Sequence, residues 1–238
     1  MDDRPAVTLS IIPVPGIGEV QPGADLAEVI LEAIDDSGIG LEDDDVVVVT
    51  HKVVSKAEAA TARYASDAEY QALKEQEATA VIRRRGNLMI AMTRQGFICA
   101  NAGVDRSNVE PGQVALHPRD PDLSAHRLRI RFERASRKRL AVIITDTFGR
   151  PWRRGLTDVA IGLSGMPAIH DYRGTTDTWG NELEVTEVAL VDEIAAAADL
   201  VMGKADRIPV AIIRGLSWPE GEGRATDLVR PPGEDLFR

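Results

Sequence analysis

The apolar positions of this chain fall into two repeating patterns. Short apolar runs bounded by polar or glycine-containing segments predict buried strands, and apolar residues spaced three and four apart predict helices. The predicted strands are residues 7–13, 46–49, 88–92, 96–100, 140–145 and 208–213, and the predicted helices are 24–37, 66–85, 123–139 and 184–201. Because helices and strands interleave, the pattern predicts a mixed α/β or α+β fold.

Local signals predict where several elements begin and end. Ser66, followed three residues later by Glu69, fits a capping box that opens a helix. Gly86 is the predicted stop of that helix, after three arginines whose charge suits a helix C-terminus. Loops are predicted at 13–18 and 101–111, and the glycine-rich stretch 151–180 shows no clear periodicity.

Composition describes an ordinary globular protein. The 238 residues are 44% hydrophobic and 28% charged. No linker clearly divides them, so we expect one domain over residues 1–238, with two subdomains of unassigned boundary as the alternative. The net charge of −10 argues against a nucleic-acid partner. Lysine is scarce, with five of the 28 basic residues against 23 arginines, so each lysine is mildly informative about anion binding.

Targeting and redox signals are weak. The N-terminus lacks the pattern of a signal peptide, and no apolar run reaches the ~20 residues of a membrane span, so we expect a soluble cytoplasmic protein. The single cysteine, Cys99, excludes an internal disulfide. It lies in an apolar segment, which favours a buried core residue over a nucleophile.

Polar residues that follow apolar strands are the candidate functional groups. Asp146 and Thr147 come after the strand 140–145, and their oxygens suit a hard cation such as Mg²⁺ or Mn²⁺. Asp105 and Asn108 lie in a second loop, where the carboxylate could share that metal. Taken alone, either motif is more typical of a turn than of a metal site.

Two further segments carry lysines. Lys52 and Lys56 follow the strand 46–49 and could reach phosphates or remain solvated, and His51 beside them is either a general base or an ordinary packing residue. Lys204 follows Gly203 at the predicted end of the last helix. The full phosphate-loop and dinucleotide-binding patterns are both absent from the sequence. Residues and spacing alone thus favour a metal-dependent enzyme for an anionic substrate.

The order of these motifs resembles the coenzyme F420-0:L-glutamate ligase family over about 200 residues. The matching segments are IPVPGIGEV at 12–20 with PGADL at 22–26, VVTHKVVSKAE at 48–58, NAGVDRSN at 101–108, ITDTFGRPWR at 144–153, YRG at 172–174 with GNEL at 180–183, and residues 195–204. The resemblance implies a mixed α/β fold of the F420-0:glutamate ligase type that forms an intertwined homodimer. The chain ends at Arg238, so we expect the stand-alone form without a flavin-binding C-terminal extension.

The resemblance implies a GTP-dependent reaction. L-glutamate would be added to the lactyl carboxylate of coenzyme F420-0 through an acyl phosphate, with GDP and phosphate released, and further γ-linked glutamates could follow. The resemblance also implies that the reaction uses Mg²⁺ or Mn²⁺, and K⁺ in addition. Two alternatives stay open: an amide ligase acting on another acceptor, and a nucleotide-binding dimer without turnover.

The resemblance also assigns residues. The implied divalent-metal ligands are Asp105, Asp146 and Thr147. The implied catalytic residues are Asp105, Asp146 and Lys56. The implied nucleotide contacts are Ile17, Gly18, Glu19, Val20, Thr50, His51, Lys56, Asn108, Met202, Gly203, Lys204, Ala205, Asp206, Arg207, Ile208 and Pro209.

Two positions depart from the family pattern. Members commonly have serine in place of His51, and some have glutamine in place of Lys204. A protonated lysine cannot ligate a cation, so we expect Lys204 to contact a phosphate.

Overall fold

Strands and helices are interspersed along residues 8–235, the part of the chain that the computed structural model describes. The strands are β1 (Ser10–Pro13), β2 (Asp45–Thr50), β3 (Thr61–Arg63), β4 (Ala80–Arg85), β5 (Leu88–Met92), β6 (Ile98–Ala100), β7 (Gln113–Ala115), β8 (Leu140–Arg150), β9 (Arg153–Ser164), β10 (His170–Asp171), β11 (Glu187–Val188) and β12 (Val210–Arg214). The helices are α1 (Leu26–Asp36), α2 (His51–Ala57), α3 (Asp67–Glu77), α4 (Pro121–Ser136) and α5 (Leu190–Met202). The mixed α/β class is confirmed.

A five-stranded sheet in the order β1-β12-β2-β8-β9 forms the centre. β2 and β8 are parallel, and the other neighbours are antiparallel. Side chains alternate between the faces of a strand, so Val47 and Val49 pack with α1 and α4, while Val46 and Val48 pack with α5. Both faces are covered, which explains why residues 46–49 of β2 are four consecutive valines.

Three smaller sheets surround the centre. β4, β5 and β6 form an antiparallel sheet, β3 pairs with β7, and β10 pairs with β11. The longest helix in the described range, α4, has 16 residues. Within that range no helix combines the length and apolarity needed to cross a membrane.

The predicted helix 66–85 is correct at its start and wrong at its end. Ser66 caps α3 by accepting a hydrogen bond from the Glu69 amide at 3.2 Å, but the helix ends at Glu77. Residues 80–85 instead form a strand whose arginines pair in register with β5. Gly86 lies in the hairpin turn with a φ of +56°. Cross-strand pairing therefore decides the conformation of this segment.

The hairpin of β8 and β9 is the largest departure from the predicted elements. β8 does not end at residue 145 but continues to Arg150, and β9 occupies residues 153–164 of the stretch for which no regular element was predicted. Asp146 and Thr147 therefore lie inside a strand rather than in a turn after it. Pairing with β9, as in Thr147 opposite Asp158, holds them extended.

The remaining predicted elements differ mainly at their ends. The last helix begins at Leu190 rather than at 184, and Val188 pairs with His170 in a short strand instead. The prediction of a strand from 7 to 13 is confirmed for Ser10–Pro13, and Val7 lies outside the described residues. Cys99 is buried at 5% exposure, which confirms its assignment to the core.

Candidate active site

The ends of the two parallel strands and the start of α2 bring polar groups together. Thr50 is the last residue of β2 and is opposite Thr145 of β8, and His51 begins α2 directly afterwards. Ligand sites in mixed folds commonly lie at the carboxyl ends of parallel strands. This edge of the sheet is therefore the candidate position of a functional site.

Asp146 lies between two histidines. His117 Nε2 donates to Asp146 Oδ2 at 2.7 Å, and His51 Nε2 is 3.3 Å from Asp146 Oδ1. The side chains of His51 and His117 are 0% and 5% exposed, and that of Asp146 is 11% exposed. The backbone amide of Thr147 also donates to Asp146 Oδ1, at 2.7 Å. The potential metal ligands of this cluster are His51, His117 and Asp146, whose ligand atoms lie within 4.8 Å of one another.

The charge states of this cluster follow from its burial. Burial by itself would raise the pKa of Asp146, but the two histidines outweigh it, and the pKa lies well below its ordinary value. Burial lowers the pKa of His51, and the neighbouring Asp146 only partly opposes that effect. Near neutral pH the cluster therefore contains an ionised Asp146 and a neutral His51.

Lys204 is held by oxygens from three residues. Its Nζ lies 3.0 Å from Asp158 Oδ1 and 3.2 Å from Asp199 Oδ1, and it also donates to Thr147 Oγ1. Asp158 is buried and accepts from the hydroxyls of Thr147 at 2.6 Å and Thr145 at 3.1 Å. Partial burial would lower the pKa of Lys204, but Asp158 and Asp199 raise it, so this lysine stays protonated.

Asp105 has its own partners. Lys52 Nζ is 2.6 Å from Asp105 Oδ2, and the amide of Ser107 donates to Oδ1 at 2.7 Å. Burial would raise the pKa of Asp105, but Lys52 and Ser107 lower it below its ordinary value. Lys52 and His51 are consecutive, so the start of α2 links Asp105 to Asp146.

Comparison with known proteins identifies the family. The sequence model of the family described as F420-0:Gamma-glutamyl ligase matches residues 16–215. The chain belongs to this family.

Similar curated proteins extend over almost the whole chain. The coenzyme F420:L-glutamate ligase of Methanopyrus kandleri is 43% identical over 97% of this chain and 98% of its own length. Those of Methanothermobacter thermautotrophicus and Archaeoglobus fulgidus are 39% and 40% identical over 97% of this chain, and over 99% and 96% of their own lengths. The chain is accordingly a member of the ligase class of enzymes that form carbon–nitrogen bonds.

The segments that the family resemblance assigns to the nucleotide contact one another. The amide of Thr50 donates to the Pro209 carbonyl at 2.9 Å, and the side-chain amide of Asn108 donates to the Lys204 carbonyl at 3.3 Å. Lys56 Nζ is 2.6 Å from Glu19 Oε1, which joins α2 to the N-terminal loop. These contacts bring four distant segments of the sequence to one edge of the sheet.

Not every predicted site residue presents its side chain there. Ile17, Val20 and Met202 are buried in the hydrophobic core, so at these positions the backbone is the available contact. Gly18 and Glu19 are exposed, as are residues 203–207, while Ile208 and Pro209 are half-buried. A side chain at Gly203, whose φ is +59°, would collide with the Asp206 carboxylate.

Three residues of the site were missed by sequence reasoning. His117 has no motif around it that marks it as functional. Asp158 lies opposite Thr147 in the hairpin, so a correct prediction of β9 would have revealed it. Asp199 lies five residues before Lys204, in the last turn of α5, and its carboxylate contacts the Lys204 ammonium. A charged residue at the end of a helix is more commonly solvated.

Proposed function

We propose that this chain is a GTP-dependent ligase that adds L-glutamate to the lactyl carboxylate of coenzyme F420-0. The reaction would proceed through an acyl phosphate and release GDP and phosphate. The observation that carries the proposal, beside family membership, is the convergence of Thr50, Asn108, Lys56 and the loop 203–209 at one edge of the sheet.

The chemistry has two steps. The γ-phosphoryl group of GTP is transferred to a carboxylate oxygen of the precursor, giving GDP and an acyl phosphate. The glutamate amine then attacks the carbonyl carbon; the carbon–nitrogen bond forms, the carbon–oxygen bond to phosphate breaks, and the amine releases a proton. Both steps bring anions together, so positioning and charge neutralisation provide most of the catalysis.

The distribution of lysines supports this proposal. Three of the five lysines in the sequence, Lys52, Lys56 and Lys204, lie at this edge of the sheet. Each is paired with a carboxylate, namely Asp105, Glu19 or Asp158. An incoming triphosphate could replace Glu19 on Lys56, because that carboxylate is 66% exposed and free to move away. The overall charge of −10 therefore does not describe the local site.

The donor set fits a divalent ion. Asp146 is ionised and partly exposed, and the buried His51 Nε2 beside it has no hydrogen-bond partner. Asp146, with Thr147 and Asp105, would hold Mg²⁺ or Mn²⁺, which supplies positive charge to phosphate oxygens. The hydroxyl of Thr147 already bonds to Lys204 and Asp158, so the ammonium of Lys204 would place a second positive charge beside the metal ion.

The proposal includes further properties that the family resemblance supports. These are the homodimer, the use of K⁺ and the addition of further γ-linked glutamates. Each is separable from the core reaction and can be measured on the same purified protein.

The test is a ligation assay read by mass spectrometry. The protein is incubated with GTP, Mn²⁺, L-glutamate and coenzyme F420-0, and we expect a product heavier by one glutamate residue together with GDP. Reactions without glutamate or with ATP in place of GTP are the controls. No product from a precursor that a known ligase converts would overturn the proposal.

An isotope experiment tests the acyl phosphate. A precursor whose lactyl carboxylate carries oxygen-18 should pass one labelled oxygen to the released phosphate. Unlabelled phosphate alongside normal product would reject the acyl phosphate and leave the ligation itself standing.

A further inference from the structure

The cluster of His51, His117 and Asp146 has features of a transition-metal site. We propose that these three residues bind a first-row transition ion of the zinc class, in preference to Mg²⁺. The inference rests on the proposed function only in that Asp146 is common to both. It adds two imidazole ligands, which the family pattern of Asp105, Asp146 and Thr147 does not contain.

The hydrogen bonds of His51 determine which of its nitrogens is free. The Ser55 hydroxyl donates to the Leu116 carbonyl at 2.6 Å, so its oxygen is left to accept from His51 Nδ1 at 3.3 Å. A neutral imidazole that carries its proton on Nδ1 has a lone pair on Nε2. That lone pair is completely buried and faces the carboxylate of Asp146 at 3.3 Å.

His51 Nε2 and Asp146 Oδ1 face each other in a buried site, and Nε2 has no hydrogen-bond partner there. Burial also excludes the water that could bridge the two atoms. A metal ion bound by both atoms would satisfy them. The hydrogen bonds from His51 Nδ1 to Ser55 and from Ser55 to the Leu116 carbonyl would then orient His51 as a metal ligand.

His117 completes the ligand set from the other side of the carboxylate. Its Nε2 is 2.7 Å from Asp146 Oδ2, so a metal ion would displace the proton that they share. Gly103 packs directly against the ring, where any Cβ would collide with it, and this contact fixes the ring position.

The other nitrogen of His117 also has an outer partner available. Nδ1 is buried without a hydrogen-bond partner, and so is the hydroxyl of Thr93. His117 and Thr93 both line a cavity of about 20 Å³. Such a cavity has room for one water molecule that could bridge the two groups.

The ligand types determine the class of metal. Imidazole suits zinc, iron, nickel and copper, whereas Mg²⁺ prefers carboxylates, carbonyls and water. Three protein ligands leave a coordination position for a water or substrate oxygen, as in catalytic zinc sites. Asp146 is the most exposed of the three, so that position opens on its side.

The first experiment measures zinc binding by the full-length protein in the absence of GTP and precursor. Affinity is determined by competition with a chromophoric chelator, for the native protein, for His51→Ser and for the control His126→Ser, which changes an exposed histidine on α4. We expect one zinc per chain and a loss of at least about 100-fold in His51→Ser, because outer partners alone are worth 10–100-fold. The control should bind as the native protein does.

The second experiment needs no variant, so a folding defect cannot affect it. X-ray absorption at the zinc edge of the loaded native protein counts imidazole ligands, and we expect two. Fewer than two, equal zinc affinity in His51→Ser, or displacement of zinc by equimolar Mg²⁺ would each overturn the proposal. If the protein ligates glutamate but its zinc binding does not depend on the histidines, this inference is rejected and the proposed function stands. If the histidines bind zinc but the protein does not ligate glutamate, only the proposed function is rejected.

Discussion

The ammonium of Lys204 lies 3.0 Å from the carboxylate of Asp158, although 46 positions separate the two residues in the chain. Asp158 is buried and faces Thr147 across the β8–β9 hairpin, and the Thr147 hydroxyl bonds to both. Asp199 provides a third oxygen. A set of two carboxylates and a hydroxyl is typical of a divalent-cation site, and here a lysine of the same chain occupies it.

Replacing Lys204 with glutamine should increase the number of divalent ions that the protein binds. The change removes the ammonium and leaves Asp158 and Asp199 with uncompensated charge, so we expect one additional Mn²⁺ per chain by titration calorimetry or electron paramagnetic resonance. Lys138→Gln is the matched control, because Lys138 pairs with the exposed Asp43. Equal stoichiometry in the native protein and in Lys204→Gln would show that the ammonium does not take the place of a metal ion.

Replacing Asp146 with asparagine should remove ligation and preserve the fold. The amide keeps the shape of the side chain but loses the charge that faces His51 and His117. We expect turnover to fall by at least about 100-fold, the usual effect of removing one electrostatic group from an active site. Product formation is measured by mass spectrometry and folding by circular dichroism, with the exposed Asp36→Asn as control. Normal turnover in Asp146→Asn would remove this residue from the active site.

Stability should decrease as the pH falls below about 6.5, the ordinary pKa of histidine. Burial lowers the pKa of His51, so below that pH the unfolded chain takes up a proton that the folded chain resists. The pKa of Asp146 is also lowered, which extends the loss of stability to still lower pH, below the ordinary range of a carboxyl. Both groups therefore destabilise the folded state in acid.

The measurement is thermal unfolding between about pH 7.5 and 5.5 in the presence of a chelator. The midpoint of the native protein should fall over this range by more than that of His51→Ser, which lacks the buried imidazole. Parallel pH profiles for the two proteins would contradict the assignment to His51.

Replacing Arg214 with alanine should destabilise the protein strongly. Arg214 bonds to both carboxylate oxygens of the fully buried Asp45, at 2.9 and 2.7 Å. Removing one member of a buried ion pair costs about 3–5 kcal/mol, because the other charge is left without a partner. Urea unfolding measures the loss; the control Arg63→Ala, which breaks an exposed pair with Glu110, should change the free energy of unfolding by less than about 1 kcal/mol. Equal effects of the two substitutions would refute the prediction.

Cys99 should resist alkylation in the folded protein. Burial, with a contribution from the charge of Asp146, raises the pKa of its thiol to about 12. At pH 8 about one thiol in 10,000 is then ionised, against roughly a quarter for an ordinary cysteine. Iodoacetamide labelling followed by mass spectrometry should be at least about a thousandfold slower in buffer than in urea. Rapid labelling of the native protein would show that the thiol is accessible.

Much of the architecture follows from local patterns. The valine run of β2 needs cover on both faces wherever it lies, and Ser66 caps a helix through a contact three residues away. Such signals depend on neighbouring residues, so the sequence alone is sufficient to read them. The same holds for the family, whose motifs are contiguous segments in a definite order.

Pairing with a neighbouring strand decided the elements that sequence reasoning missed. The arginines at 83–85 suit the end of a helix by their charge, but in the fold they pair with β5. Residues 153–164 have no clear periodicity, because β9 changes from exposed at its start to buried at its end. Propensity is a weak signal when a neighbouring strand provides the hydrogen bonds.

The sequence by itself determined the mixed α/β class, the family and the identity of Asp105, Asp146, Lys56 and Lys204 as candidate residues. Only the tertiary structure decided which groups meet: His117 with Asp146, and Lys204 with Asp158 and Asp199. The physical reason is that burial and charge act over a few ångströms in space, and most of these neighbours come from distant parts of the chain. Interaction between His51 and Asp146, which are 95 positions apart, requires β2 and β8 to lie side by side.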